Sequence, residues 1–132
     1  MSDTPLAETY AGYLACLNAQ DWERLGEFVA HDVRHNGRPF GVAGYRAMLE
    51  QDFLDIPDLR FVADLVVVEP PHVAARLRFT CAPIGRFLGL PVNGRTVSFT
   101  ENVFYRFGGG RIVEVFSIVD RQAIAAQLEA LD

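Results

Sequence analysis

The hydrophobic pattern of this 132-residue chain changes from helical to strand period close to residue 58. Before that point apolar residues recur at helical spacing, and after it they alternate or form continuous runs, which is typical of strands. Helices followed by antiparallel strands predict an α+β domain in which the helices cover one face of a curved sheet. The length is about that of one domain and no internal repeat is visible, so we expect a single domain over residues 1–132.

Three helices are predicted in the first half of the chain. The first covers residues 6–18 after Pro5, and the second runs from an N-cap at Asp21 to residues 31–32. Residues 33–36 are expected to be extended. A third helix over residues 42–56 ends at Pro57.

Four antiparallel strands are predicted in the second half, over residues 59–68, 72–81, 96–107 and 112–120. Glycines 108–110 form the last hairpin turn, and a short helix follows from Asp120. The last strand is apolar on both faces, which is expected if its outer face contacts another subunit. We therefore expect a homodimer or homotetramer.

Composition excludes several classes of function. The net charge is −5 and the basic residues form no stripe, so a nucleic-acid partner is not expected. The chain contains no lysine, which excludes Schiff-base catalysis and Walker-type phosphate binding. The N-terminus lacks a signal-peptide pattern, the two cysteines lack Cys-x-x-Cys spacing, and no apolar run could cross a bilayer. We expect a cytoplasmic protein without a membrane span.

No cofactor is expected either. No Gly-x-Gly-x-x-Gly motif follows a predicted strand, which argues against a nucleotide cofactor. The three histidines lack the close spacing of a metal site, so no metal is predicted.

Asp120 is the first candidate for chemistry, because it follows the very apolar stretch of residues 112–119. A poorly hydrated carboxyl has a raised pKa and can exchange a proton near neutrality. The alternative is that Asp120 only caps the last helix, accepting hydrogen bonds from the amides of Gln122 or Ala123.

Glu101 is the one charge on the apolar side of its strand. If the glycine turn contains two residues, Glu101 shares a face with Asp120, and two carboxyls in one apolar site would raise a pKa. With three turn residues, Ser98, Thr100 and Asn102 take that face instead. Glu101 could also be a surface residue at a bulge, or a partner of an arginine.

His35 lies beside a glycine turn, where it could point into a cavity mouth as a second titrating group, or remain a half-exposed loop residue. Aromatic residues could line such a cavity, and tyrosine hydroxyls would supply polar contacts there, although ordinary core packing is the alternative. These candidates are Tyr13, Phe40, Tyr45, Phe53, Phe79, Phe87 and Phe116.

Several motifs together resemble those of the SnoaL-like polyketide cyclase (ester cyclase) family, and the match runs nearly end to end. They are Asp32-Val33-Arg34-His35, Gly44-Tyr45, Ile56-Pro57-Asp58-Leu59, Gly85-Arg86-Phe87-Leu88-Gly89-Leu90-Pro91, Asn93-Gly94-Arg95, Phe104-Tyr105-Arg106-Phe107 and Gly110-Arg111-Ile112-Val113-Glu114. The resemblance implies an NTF2-like, cone-shaped α+β barrel that encloses an apolar cavity, in a protein that forms dimers or tetramers.

The same resemblance implies which residues act. Family members end the last strand with Glu-x-Trp-x-x-x-Asp, and this chain has Glu114, Phe116 and Asp120 at those positions. Asp120 would then be the acid/base of a cofactor-free intramolecular aldol condensation on a hydrophobic substrate, with His35, Tyr13 or a water polarising the enolate oxygen. Cys81 stands where many relatives have a pocket histidine.

Two other classes of function remain open. One is a non-catalytic NTF2-like module that binds a small molecule or assembles with a partner, in which Phe79, Phe87 and Phe116 would close the cavity. The other is a related enzyme, either a ketosteroid-isomerase-like proton shuttle or an epoxide hydrolase. An epoxide hydrolase would need Asp64, an arginine at 76 or 78, and Asp120 to meet.

Overall fold

The structure, a computed structural model, describes residues 5–131 and contains three α-helices and seven strands. The helices are α1 (Leu6–Asn18), α2 (Gly41–Asp55) and α3 (Arg121–Leu131), and a 3₁₀ helix covers Trp22–Glu27. The strands are β1 (Val29–His35), β2 (Val62–Glu69), β3 (His72–Cys81), β4 (Arg86–Phe87), β5 (Leu90–Pro91), β6 (Val97–Gly108) and β7 (Arg111–Val119). The predicted α+β class is confirmed.

Five strands form one curved sheet in the order β1-β7-β6-β3-β2, with two free edges. All neighbours are antiparallel except β1, which runs parallel to β7. Strands β4 and β5 form a separate small hairpin between β3 and β6. The helices pack on the inner face of the sheet, and the core lies between them.

The prediction of a second helix as far as residue 32 is wrong. The helical turn ends at Glu27, and Val29 already begins β1, whose Val29 and Val33 are buried. Pairing with β7 overrides the helical spacing of the apolar residues in this segment, because tertiary context outweighs weak local propensity. The sequence also failed to predict the β4–β5 hairpin, whose strands have only two residues each.

The inner face of the sheet follows from alternation. In β3, Val73, Ala75, Leu77, Phe79 and Cys81 are buried, while the residues between them face outward or are partly exposed. Strand β6 repeats the pattern with Val97, Phe99, Val103, Tyr105 and Phe107. Side chains of period two therefore place one apolar row of each strand under the helices.

A bulge in β7 changes which of its residues face inward. Gly109 and Gly110 form a two-residue turn at φ 59° and 80°, a conformation that favours glycine. Phe107 lies opposite Ile112, but Arg106 lies opposite Glu114, so Val113 is an extra residue. From there to the end of β7 the alternation is inverted relative to an unbulged hairpin.

The outer face of the sheet exposes several large apolar side chains. They are Leu65, Val67, Phe104, Phe116 and Ile118, with Ile118 74% exposed. Phe104 and Phe116 are paired across β6 and β7, so they are close neighbours on this surface. Over residues 5–131, no helix is long and apolar enough to cross a membrane.

Candidate functional site

A cavity of about 440 Å³ lies between the inner face of the sheet and helices α1 and α2. Its walls are mainly apolar and include Leu17, Leu49, Leu77, Phe79 and Phe99. The polar side chains that line it are Tyr13, His35, Asn36, Tyr45, Asp52, Glu101, Tyr105, Ser117 and Arg121. A concave apolar site with a few polar groups is typical of a small-molecule site.

Two carboxyl groups line this cavity from opposite elements. Asp52 lies on α2, three residues after Leu49 and seven after Tyr45, and therefore shares their inward face. Glu101 lies on β6 opposite Val119 and in the same inward row as Val103 and Tyr105. The packing of helix on sheet thus brings two acids into one apolar space.

Burial raises the pKa of both carboxyls. For Asp52 the pKa is raised to about 7, first by desolvation and then by the negative charge of Glu101 and of Asp55. For Glu101 desolvation raises the pKa, while the hydrogen bond from Ser117 opposes the shift. An apolar environment disfavours the charged form of an acid, and a second acid nearby adds repulsion.

The two acids differ in their hydrogen bonds. The Ser117 hydroxyl donates to Glu101 Oε2 across β7 and β6, so one oxygen of Glu101 is already engaged. Among residues 5–131, no side chain or amide donates to the Asp52 carboxyl. Asp52 therefore keeps both oxygens available to a ligand.

His35 lines the cavity at the end of β1, as predicted. Its ring stacks on Phe40 with centroids 5.5 Å apart and meets Tyr45 edge-on at 6.0 Å. Burial lowers the pKa of His35, so the imidazole is neutral at pH 7. A neutral ring can either donate or accept one hydrogen bond toward the cavity.

The β4–β5 hairpin and the start of α3 also contribute to the cavity lining. Phe87 lines the cavity and its ring lies 5.6 Å from that of Phe99. Leu88, at φ 52°, also lines it, and its carbonyl accepts a hydrogen bond of 2.9 Å from Arg121 Nε. Arg121 thus ties the hairpin to α3.

The expectation that Asp120 lies in a dry cavity is wrong. Its side chain is exposed, and its Oδ1 accepts a hydrogen bond of 3.1 Å from the Ala123 amide, so it caps α3. The extra residue Val113 is the reason: it puts Glu101 opposite Val119, and Asp120 follows on the other side of the strand. Glu101 and Asp120 therefore do not share a face.

Four other predicted pocket residues lie outside the cavity lining. Phe116 is on the outer face and 49% exposed, because the same bulge turns it away from the interior. Phe53 packs between Trp22 and Phe61, and Phe40 stacks on the ring of His35. Cys81 is buried in the core at the end of β3, where burial raises its pKa to about 11.

The constellation needed for epoxide hydrolysis does not form. Asp64 is paired with Arg76 at 2.9 Å and with Arg78 at 2.8 Å. All three lie outside the cavity lining, and the two arginines are exposed on the outer face of the sheet. Within residues 5–131, no group of three His, Cys, Asp or Glu side chains could hold a metal ion.

Sequence reasoning missed five of the polar residues in the lining, which are Asn36, Asp52, Tyr105, Ser117 and Arg121. Asp52 could have been found, because it is a charge on the apolar stripe of a predicted helix, the same signal that singled out Glu101 on its strand. Ser117 and Arg121 carried no comparable signal. Their positions depend on the bulge in β7 and on where the hairpin packs.

Comparison with known proteins agrees with this architecture. A family model described as SnoaL-like polyketide cyclase matches residues 7–128. A SnoaL-like polyketide cyclase from Agrobacterium tumefaciens is 51% identical, with a TM-score of 0.94 over 95% of this chain and 98% of that one. IdmH from Streptomyces antibioticus is 26% identical, with a TM-score of 0.76 over 93% and 97% of the two chains.

A more distant structure, TsrD from Streptomyces laurentii, is 24% identical with a TM-score of 0.82, over 97% of each chain, and shows the shared fold. No curated protein matches the chain. The NTF2-like, SnoaL-like architecture predicted from the sequence motifs is confirmed.

Proposed function

The chain belongs to the SnoaL-like polyketide cyclase family, and from this premise we propose that it catalyses cofactor-free proton transfer on a hydrophobic carbonyl compound. The reaction class is an intramolecular aldol condensation, or a related proton transfer, on a polyketide-like ester or ketone. The acid/base residue is Asp52, with Glu101 as its partner carboxyl, and these replace Asp120 in the role that the family motif implies.

The observation that supports this proposal is the pair of carboxyls inside an apolar cavity. A general base works best when its pKa is close to the operating pH, and the pKa of Asp52 is raised to about 7. Because no group in residues 5–131 donates a hydrogen bond to the Asp52 carboxylate, both of its oxygens can accept a proton from a substrate carbon. Perturbed acids in a cleft are typical of active sites.

In the proposed reaction, Asp52 removes a proton in the first step and returns it in the last. The Asp52 carboxylate removes a proton from a carbon that lies beside a carbonyl group, which leaves an enolate. The enolate carbon forms a bond to a second carbonyl carbon of the same molecule, and that carbonyl oxygen becomes an alkoxide. The alkoxide then takes the proton back from Asp52, so the residue is regenerated and no cofactor is consumed.

The cavity supports this chemistry by its shape and polarity. Its volume of about 440 Å³ leaves room for a folded small molecule, and Phe79 and Phe87 stand in its walls without closing it. The apolar surroundings disfavour charged ligands and keep the base poorly hydrated. A neutral, hydrophobic substrate therefore suits the site best.

The test follows the proton rather than a particular product. In D₂O, 2-acetylnaphthalene exchanges its methyl protons for deuterium, and NMR measures the rate with and without protein. We expect the wild type to accelerate exchange and Asp52→Asn to lower that acceleration by 10²-fold to 10⁴-fold, the usual contribution of a general base. A panel of polyketide-like esters would then identify cyclised products by mass spectrometry.

The matched control is Asp55→Asn, one turn further along α2. Asp55 accepts a hydrogen bond of 2.9 Å from Gln51 and does not line the cavity, so its variant should keep most of the wild-type exchange and lose only the small effect of its charge on the pKa of Asp52. Equal loss in both variants would contradict a specific role for Asp52. Binding of the ketone without any acceleration of exchange would favour the non-catalytic binding module instead.

We also propose that a second copy of this chain covers the outer face of the sheet. The support is the set of exposed apolar side chains on that face, with Phe104 and Phe116 at its centre. Large exposed apolar patches on a sheet are typical of protein interfaces.

A further inference from the structure

All four tyrosines of the chain are buried in one cluster beside the cavity. Tyr10 and Tyr13 come from α1, Tyr45 from α2 and Tyr105 from β6, and each is at most 3% exposed. Their ring centroids lie 6.0 Å apart for Tyr10 and Tyr13, and 4.9 Å apart for Tyr10 and Tyr105. Three of the four, all except Tyr10, line the cavity.

The hydroxyls of this cluster bond to one another in two pairs. The Tyr13 and Tyr45 hydroxyl oxygens are 2.7 Å apart, and the Tyr10 hydroxyl donates to that of Tyr105 over 3.2 Å. These are the only hydrogen bonds that the four phenols make within residues 5–131. Each phenol carries one proton and can also accept.

The Tyr13–Tyr45 pair has one hydroxyl proton left for a further hydrogen bond. Two phenols bring two hydroxyl protons, and their mutual hydrogen bond uses one of them. The second proton has no acceptor among residues 5–131, although both hydroxyls are deeply buried. Because both residues line the cavity, a ligand in that cavity is the available acceptor.

Both phenols stay protonated in neutral solution. Desolvation is the main cause that raises the pKa of Tyr13 and Tyr45, and the charge of Glu101 raises both further. Either hydroxyl can be the donor in the bond between them, so the proton left over is that of whichever hydroxyl accepts.

We propose that the Tyr13–Tyr45 pair is an oxyanion-binding donor, in which one hydroxyl donates to the other and the accepting hydroxyl donates to the carbonyl oxygen of a ligand in the cavity. A hydroxyl that already accepts a hydrogen bond is a stronger donor, because such chains polarise one another. As a base removes the proton from the neighbouring carbon, negative charge develops on that oxygen and the donated bond strengthens.

This inference rests on the proposed function and makes its substrate class more specific. The ligand must carry a carbonyl whose oxygen reaches the tyrosine pair while its acidic carbon faces Asp52. The tyrosine pair would bind the enolate oxygen, and Asp52 would handle the proton. The two roles are chemically separate, so they can be tested separately.

The probe is 2-acetylnaphthalene with a ¹³C-labelled carbonyl, and the matched ligand is 2-ethylnaphthalene, which has the same shape but no acceptor. We expect the wild type to bind the ketone more tightly than the hydrocarbon. We also expect the carbonyl stretching frequency of the bound ketone to fall below its value in an aprotic solvent. Equal affinity for the two ligands, or an unshifted carbonyl, would overturn the proposal on the wild type alone.

The decisive variant is Tyr13→Phe/Tyr45→Phe, which removes both partners of the buried hydrogen bond and so leaves no unsatisfied hydroxyl behind. We expect its affinity for the ketone to fall about 5-fold to 10-fold, the size of one neutral hydrogen bond, with affinity for 2-ethylnaphthalene unchanged. The carbonyl shift should disappear. Ketone exchange should slow by about 10²-fold or more, as when an oxyanion donor is lost.

Two further variants separate the possible outcomes. Tyr10→Phe removes a phenol of the same cluster that does not line the cavity, and it should leave ketone binding and the carbonyl shift as in the wild type. Asp52→Asn should lose exchange but keep the carbonyl shift. An unchanged shift in the double variant would overturn the tyrosine role, whereas normal exchange in Asp52→Asn would overturn the proposed function.

Discussion

Replacing Asp52 by asparagine should make the protein more stable at pH 8 than the wild type. Above pH 7 the wild type must hold a carboxylate in an apolar cavity beside Glu101, whereas the amide of asparagine carries no charge. In the unfolded chain the Asp52 carboxyl is hydrated and ionises at its ordinary pKa. The folded state therefore binds a proton that the unfolded state releases, over the range between the two pKa values.

The size of this effect follows from the two pKa values. The pKa of Asp52 is raised from 3.8 to about 7 in the folded protein. At 1.36 kcal/mol per pKa unit, the stability that the wild type loses between pH 4 and pH 7 has an upper limit of about 4 kcal/mol. Solvent at the cavity mouth screens part of this, so we expect about 2 to 4 kcal/mol.

The sign of the effect is fixed by linkage. When the pKa of a carboxyl is higher in the folded than in the unfolded state, its contribution to stability is fully present below the unfolded pKa. This contribution is lost as the pH rises through the folded pKa. Asp52→Asn removes this pH-dependent loss of stability, because asparagine carries no charge. The difference in unfolding free energy between variant and wild type should therefore grow from pH 4 to pH 8.

Urea denaturation of the wild type, Asp52→Asn and Asp55→Asn at several pH values measures this difference. A ¹³C NMR titration of the Asp52 carboxyl checks the pKa directly. The Asp55→Asn control should show much less growth with pH, because Asp55 lies outside the cavity lining and acts on Asp52 only through its charge. A constant difference between Asp52→Asn and the wild type across this range would refute the reasoning.

Two other predictions concern the residues that the bulge turns outward. Asp120→Ala should lower the unfolding free energy by about 1 kcal/mol, because it removes the cap of α3, and should leave ketone exchange as in the wild type. Denaturation measures the stability and NMR measures the exchange. A large loss of exchange would place Asp120 in the reaction after all. Phe116→Arg puts a charge in the exposed apolar face and should therefore shift the protein toward monomer in sedimentation. Its far-UV circular dichroism should be unchanged. An oligomer that persists in this variant would exclude that face as the interface.

Some of the site could be predicted from the sequence. Glu101 interrupts an apolar row of its strand, and alternation marked it as a charge that needs a cavity or a partner, with a surface position also open. Tyr13, Tyr45 and Phe79 were expected to line a cavity as aromatic residues, and His35 because of the glycine turn beside it. All four line the cavity.

The wrong predictions concern segments in which pairing with a neighbouring strand decides the secondary structure or which side chains face inward. Residues 29–32 were predicted to continue a helix, yet they begin a strand, because β7 supplies the hydrogen bonds and the apolar partner that local propensity cannot foresee. Asp120 was expected in the cavity because of the apolar stretch before it and the family motif, and Phe116 because it is aromatic. Neither signal reports the extra residue in β7 that turns both side chains outward. The resemblance identified the family and did not reveal this shift.

The sequence by itself determined the α+β class, the change from helical to strand periodicity, the family, and the one apolar row on each of β3 and β6. Each of these depends on the order of side chains within one element, which the chain carries locally. The tertiary structure decided which acids share the cavity. A single extra residue, Val113, inverts the facing of β7, and the packing of α2 on the sheet places Asp52 beside Glu101. Pairing register and helix docking are properties of distant segments in contact, so no local pattern could specify them.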